Sequence, residues 1–227
     1  MTTTRSAPEQ WVRLDGEDHD GAIDAFELIS ARRALSLLKH KLGRERLLAL
    51  LEEEIRAGND FLRAQAALAR GLETSGTTVL RARGITAADF TSWLARAFGR
   101  EDVLLAAHPE HYSIHHAPGR DVNIVETLGE HVCSFFMRPW DASVEPSSGV
   151  SSSAVAPTAT RRSHIVLEDG TLVGSVSTAF EEEAGGLTAR LSVTLPSTCA
   201  ALVEQHLEHF AVEFRTWILR AAAEGAR

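Results

Sequence analysis

The stretch LTARLSVTLP (Leu187–Pro196) runs directly into STCAALVEQHLEHFAVEFRTWILRAAA (residues 197–223), and its reading decides the fold. Leu187, Ala189, Leu191, Val193 and Leu195 alternate with Thr188, Arg190, Ser192 and Thr194. That period of two describes a strand with one buried face and one wet face. Pro196 ends the strand because it cannot donate into a ladder. Ser197 or Thr198 can cap the helix that follows. From Val203 the apolar residues Leu207, Phe210, Phe214 and Ile218 recur at three- and four-residue steps, so a long amphipathic helix closes the chain.

Upstream, strand-like patterns extend back to residue 108. Ser163–Glu168, Asp169-Gly170 and Leu172–Phe180 read as a hairpin with a type I′ turn. Val132–Met137 is a nearly continuous apolar run, as in a central strand. Val122, Ile124, Glu126 and Leu128 share one face of the strand before it, and Tyr112, Ile114 and His116 share one face of an earlier one. Before His108-Pro109 the spacing is helical, from Phe26 to Leu42, from Leu47 to Leu68 and from Phe90 to Phe98. The last of these helices opens on the capping sequence Thr86-Ala87-Ala88-Asp89.

The expected class is α+β: an N-terminal helical section followed by an antiparallel meander of five or six strands packed on the long C-terminal helix. Residues 1–24 read as a poorly ordered arm and residues 25–107 as entirely helical. Residues 108–227 carry the sheet and last helix, in one continuous domain with 25–107. Residues 139–160, rich in Ser and Pro, read as a lid or a disordered loop.

Composition narrows the function. With 44% hydrophobic residues the 227-residue chain can bury a core, which excludes disorder. No run approaches ~18 uncharged apolar residues, so no membrane span is expected. Met1–Pro8 lacks the apolar segment of a secretory signal, and a cytoplasmic location is expected. A net charge of −8 without a sustained basic cluster argues against a nucleic-acid partner. Cys133 and Cys199 are too few for a disulfide framework, and Cys133, inside an apolar run, reads as an inert packed thiol. Lysine is confined to Lys39 and Lys41 while arginine is abundant, which points to a GC-rich bacterial genome. The nucleophile elbow, the phosphate loop and the dinucleotide fingerprint are all missing.

Two clusters and one single residue could carry chemistry. At ~100° per residue, His206, Glu213 and Trp217 fall within roughly 40° of one another on the last helix, with His209 about 60° from His206. Residues at such steps can converge on one ligand or ion. A second imidazole-rich run comprises His108, Glu110, His111, His115 and His116. Glu126 alternates in phase with Val122, Ile124 and Leu128, so its carboxylate should face the interior, where it is suited to general acid or base work. An ion pair with Arg138 or Arg190 is the structural alternative.

An antiparallel meander closed by a long helix resembles the helix-grip arrangement of START-like and polyketide-cyclase-like ligand-binding proteins, over residues 108–223. The resemblance implies a cavity between sheet and helix. The chain departs from that family by placing a large helical section first, where those proteins open with a strand and two short helices. HPEHY (residues 108–112) and HLEHFAVEFRTW (residues 206–217) also resemble a bacterial family, and that likeness implies no activity.

The leading reading is a cavity protein for a small, largely apolar organic molecule, with acid–base catalysis of the lyase, cyclase or isomerase kind in bacterial secondary or aromatic metabolism. No cofactor is expected. Glu126 would be the acid or base, and His111 and His206 would orient or polarise the ligand. Tyr112, Trp140, His209, Glu213 and Trp217 would contact it. A second reading is a metal-dependent enzyme, with His108, His111, His206, His209 and Glu213 as candidate ligands of a divalent ion. A third is a non-catalytic interaction module or homodimer, joined through the apolar stripe on residues 26–68.

Overall fold

The computed structural model describes residue 16 and residues 21–116, 121–139 and 159–225. The expected arm and the expected lid lie, but for their edges, outside these residues, as does Trp140. Helix α1 (Gly21–Leu50) breaks at Gly43, where φ is 70° and ψ is 165°. Next to this break the chain divides into two compact units, Met1–Leu42 and Gly43–Arg227. The described part of the first unit is helical apart from Gly16, and its Phe26, Ile29, Leu37 and Leu38 are all more than half exposed.

The second unit continues with α2 (Glu52–Ala69), β1 (Glu73–Arg83), α3 (Ala87–Ala97) and α4 (Glu101–Leu105). Six strands follow: β2 (His111–His116), β3 (Val122–Leu128), β4 (His131–Pro139), β5 (Ala159–Val166), β6 (Leu172–Glu183) and β7 (Gly186–Pro196). A short turn at Ser197–Cys199 leads into α5 (Ala200–Gly225). The strands form one antiparallel sheet in the order β1-β7-β6-β5-β4-β3-β2.

Strand β1 corrects the reading of residues 25–107 as entirely helical. Its inward positions are Thr74, Gly76, Thr78, Leu80 and Ala82, mostly small or hydroxylated, so no apolar alternation shows in the sequence. The small residue at position 76 is what the packing requires. A Cβ there would lie 2.7 Å from Leu207 and 2.8 Å from Val203, because α5 crosses β1 at this point. With β1 in place, Glu73–Gly225 runs strand, two helices, six strands, long helix. The departure from the helix-grip order is thereby reduced to α1 and α2, which still precede β1, since the opening strand and two short helices are β1, α3 and α4.

The capping sequence performs as read: Thr86 Oγ1 accepts from the Asp89 amide at 3.0 Å and donates to the Asp89 carboxylate at 2.7 Å. In β7, Leu187, Ala189, Leu191, Val193 and Leu195 are all buried. The Asp169-Gly170 hairpin forms, but not through a type I′ turn. Only Gly170 has positive φ, at 86°, whereas that turn needs it at both central residues. Gly170 instead donates to the Leu167 carbonyl at 3.0 Å, and a register shift at Ile165/Val166 takes up the extra residue.

Strand β4 pairs with β3 over His131–Met137 but with β5 only over Phe136–Pro139. Helix α2 comes against the stretch that β5 leaves. Asn59 Oδ1 accepts from the Ser134 amide at 2.9 Å, and Phe61 stacks on His131 at 4.0 Å. Helix α5 packs on β1, β7, α3 and β3. Among the described residues, no helix is long and apolar enough to cross a membrane.

Candidate functional site

A cavity of about 720 Å³ lies among β2–β6, α3 and α5. Its walls are largely hydrocarbon: Leu94 and Phe98 from α3, Ile114 from β2, Ile124 from β3, Phe135 and Met137 from β4, Val176 from β6, and Phe210, Phe214 and Trp217 from α5. His116, Arg161 and Arg162 also line it and are exposed. Glu126, His206 and Glu213, which also line it, are each less than a tenth exposed. A hydrophobic hollow thus carries a small group of buried titratable side chains on its wall.

Strand alternation on β3 turns Val122, Ile124 and Glu126 to the cavity. Directly across the ladder from Glu126 is His111. A register shift between His111 and Ser113 breaks the alternation of β2, so that His111 is buried beside Glu126 while Ile114 and His116 still line the cavity. This corrects the expectation that Tyr112 shares their face. Tyr112 is not a lining residue, and its hydroxyl lies 3.1 Å from Thr127 Oγ1. A bulge of this kind leaves no mark in apolar periodicity.

The buried groups lie close together. His111 Nε2 is 2.8 Å from His209 Nε2, 3.2 Å from Glu126 Oε2 and 3.6 Å from Glu213 Oε1. His209 Nε2 is 3.6 Å from Glu126 Oε2, and His206 Nδ1 is 3.9 Å from Glu126 Oε1. His111 Nδ1 meets the Leu104 carbonyl at 3.4 Å. A carbonyl only accepts, so Nδ1 carries the proton, and in a neutral ring the Nε2 lone pair points into the cluster. His209 Nε2–H can then donate to it. Neither arginine considered for Glu126 serves it: Arg138 pairs with Asp121 at 3.0 Å and Arg190 with Glu181 at 3.1 Å.

Burial governs the charges. It lowers the pKa of His206, and it brings His209 down to about 2 against the pull of the Glu126 carboxylate. The Glu213 carboxyl is pushed well above its usual range, first by burial and then by Glu126. Among the described residues three buried polar atoms have no hydrogen-bond partner: Arg32 Nε on α1, which does not line the cavity, and two that belong to lining residues, His206 Nδ1 and the indole nitrogen of Trp217. A buried donor left without a partner costs about 1–3 kcal/mol, which an incoming acceptor would recover.

A second, smaller cavity of about 300 Å³ is lined by His108, Glu110, Gln205, His206, Glu208 and His209, among others. Glu110, Gln205 and Glu208 are exposed. His108 stacks on His209 with ring centroids 3.7 Å apart. The candidate metal ligands therefore divide. His111 and His209 group with Glu126, and His108 groups with Glu110 and His209 on the outer side. His206 and Glu213 fall in neither trio. Glu126 is far in sequence from the imidazoles on α5, so no local spacing joins it to them as a ligand set, and the Leu104 carbonyl, a backbone group, carries no sequence signal.

Cys133 is fully buried, and burial together with the nearby Glu126 charge pushes its thiol up to about 12. It should resist alkylation by iodoacetamide in the native protein and react readily once unfolded in urea. Mass spectrometry of timed samples checks this, and rapid native labelling at Cys133 would restore it as a nucleophile.

No family model and no curated protein matches the chain. Among solved structures it is similar to the Zhui aromatase/cyclase from a Streptomyces species, at 10% identity over 68% of this chain and 96% of that one, with a TM-score of 0.45. It is similar to Ara h 8.0201 at 13% identity, over 66% of this chain and 99% of that one, with a TM-score of 0.44. It is also similar to a START superfamily protein from Mycobacterium smegmatis at 12% identity, over 66% and 99% of the two chains, with a TM-score of 0.42. All three likenesses are at low identity and cover about two thirds of this chain, and no activity is carried across that distance.

Proposed function

We propose that the protein binds a small, largely apolar organic molecule in the larger cavity and carries out acid–base chemistry on its polar end. One observation carries this reading: a hollow of about 720 Å³, in the size range of small-molecule sites, has hydrocarbon walls and the buried groups Glu126, His206 and Glu213 in its lining. Apolar walls supply affinity, and a few buried polar groups fix orientation. Glu213, with its carboxyl pushed up by burial, is the proton donor, and Glu126 is the acceptor. His206 Nδ1 and the Trp217 indole nitrogen, neither of which has a hydrogen-bond partner, hold the polar end of the ligand. His111 does not line the cavity and acts as a positioning residue behind Glu126. A place in bacterial secondary or aromatic metabolism accords with these features.

Anilinonaphthalene sulfonate, followed by its fluorescence, tests the binding half of the reading. One site of roughly micromolar affinity is expected. Val176→Trp, which projects an indole into the cavity from β6, should weaken binding at least about tenfold without lowering the melting temperature. Binding that ignores the Trp, or no saturable binding at all, would overturn the proposal.

A further inference from the structure

We infer that His111, His209 and Glu126 form a three-ligand site for one divalent transition-metal ion of the zinc type, with its open position toward the apolar cavity. The inference deepens the function proposed above and rests on it for the role of the ion.

Geometry is the first support. The three ligand atoms form a triangle with edges of 2.8, 3.2 and 3.6 Å. Such a triangle has a circumradius of about 1.9 Å, so an ion slightly off its plane sits about 2.0–2.1 Å from all three atoms, the usual zinc–nitrogen and zinc–oxygen distance. Three side chains from three separate elements, β2, β3 and α5, meet at that spacing. Two imidazoles and one carboxylate, with a fourth position left for water or substrate, are a donor set suited to catalytic zinc.

The surroundings are the second support. His111 donates its other ring N–H to the Leu104 carbonyl, which fixes the tautomer a ligand needs, whereas His209 would have to move its proton from Nε2 to Nδ1 on taking up the ion. The His209 ring is held from behind by stacking on His108. The smaller cavity reaches His209 past the exposed Glu110 and Glu208, and it offers an ion a route that does not cross the apolar chamber. With an ion present Glu126 would hold it in place of accepting a proton as proposed above, while Glu213, 3.6 Å from His111, would keep the role of donor and His206 that of holding the ligand. The ion itself would polarise a ligand oxygen or activate a bound water.

The test uses the full chain, purified without a histidine tag, stripped with a chelator and titrated with cobalt(II) chloride. One Co(II) per chain is expected, with the strong visible absorption of a four-coordinate site, abolished by added Zn(II). His209→Ala and Glu126→Ala should each weaken Co(II) binding at least about 100-fold. His116→Ala, at the edge of the larger cavity, should not change it. The near-isosteric Glu126→Gln and His209→Gln stand in should an alanine variant fail to fold. No saturable Co(II) signal, or equal affinity in wild type and both ligand variants, overturns the site. Anilinonaphthalene sulfonate binding, measured on the same samples, separates the two claims. Probe binding without cobalt binding defeats the metal site alone, and cobalt binding without probe binding defeats the apolar-ligand reading alone.

Discussion

Gly58→Ala is expected to lower the unfolding free energy by about 3 kcal/mol or more, against the usual sign for such a change within a helix. An interior glycine replaced by alanine ordinarily gains about 1 kcal/mol. Here the added Cβ would stand 2.1 Å from the Val132 carbonyl oxygen and 3.0 Å from Cys133 Sγ. The obstacle is backbone, and it cannot turn aside as a side chain could. Val132 and Cys133 are also held on their other flank by Thr127 and Glu126 of β3. Relief therefore requires α2 to back away from β4 and give up the Asn59 bond to Ser134. Urea unfolding measures the effect, with a lower midpoint and an unchanged slope expected. A variant as stable as the wild type would mean that α2 does not approach β4 so closely.

The second large effect is a reversal of rank. Without metal, Glu126→Gln should raise stability by about 1–2 kcal/mol, because a neutral amide replaces a buried carboxylate that has no arginine or lysine beside it among the described residues. That carboxylate lies against His206 and His209, whose protonated forms burial disfavours, and shares the site with the Glu213 carboxyl. With Zn(II) at about a thousand times its dissociation constant, the wild type should gain about 4 kcal/mol and overtake the variant. Melting curves with chelator and with zinc provide both halves. A variant less stable than the wild type in chelator would mark Glu126 as part of a structural ion pair. Equal responses to zinc would remove the carboxylate from the ligand set.

The parts legible in the sequence were those where burial and period coincide. Strand β7 is buried on its inner face at every second residue, and α5 buries residues at three- and four-residue steps, so both could be read directly. Glu126 stood out for the same reason, as a charge in phase with hydrocarbon. Strand β1 hid because its inner face is narrow: a close helix crossing selects Gly76 and threonines, and these look like a turn. Asp169-Gly170 marks the place of a turn but not its type, since one glycine and a register shift do the work of two left-handed residues. The buried position of His111 depends on a one-residue irregularity, and its companionship with His209 spans 98 positions. No local pattern encodes either.

His206 lines both the wide chamber and the narrow one behind it. A greasy guest that plugs the front therefore need not seal the reactive groups from bulk water. Protons can be exchanged, and a lost ion replaced, through the rear while the guest stays put. Turnover in such an arrangement would be paced by how fast the guest leaves the front and not by how fast the groups behind it are reset.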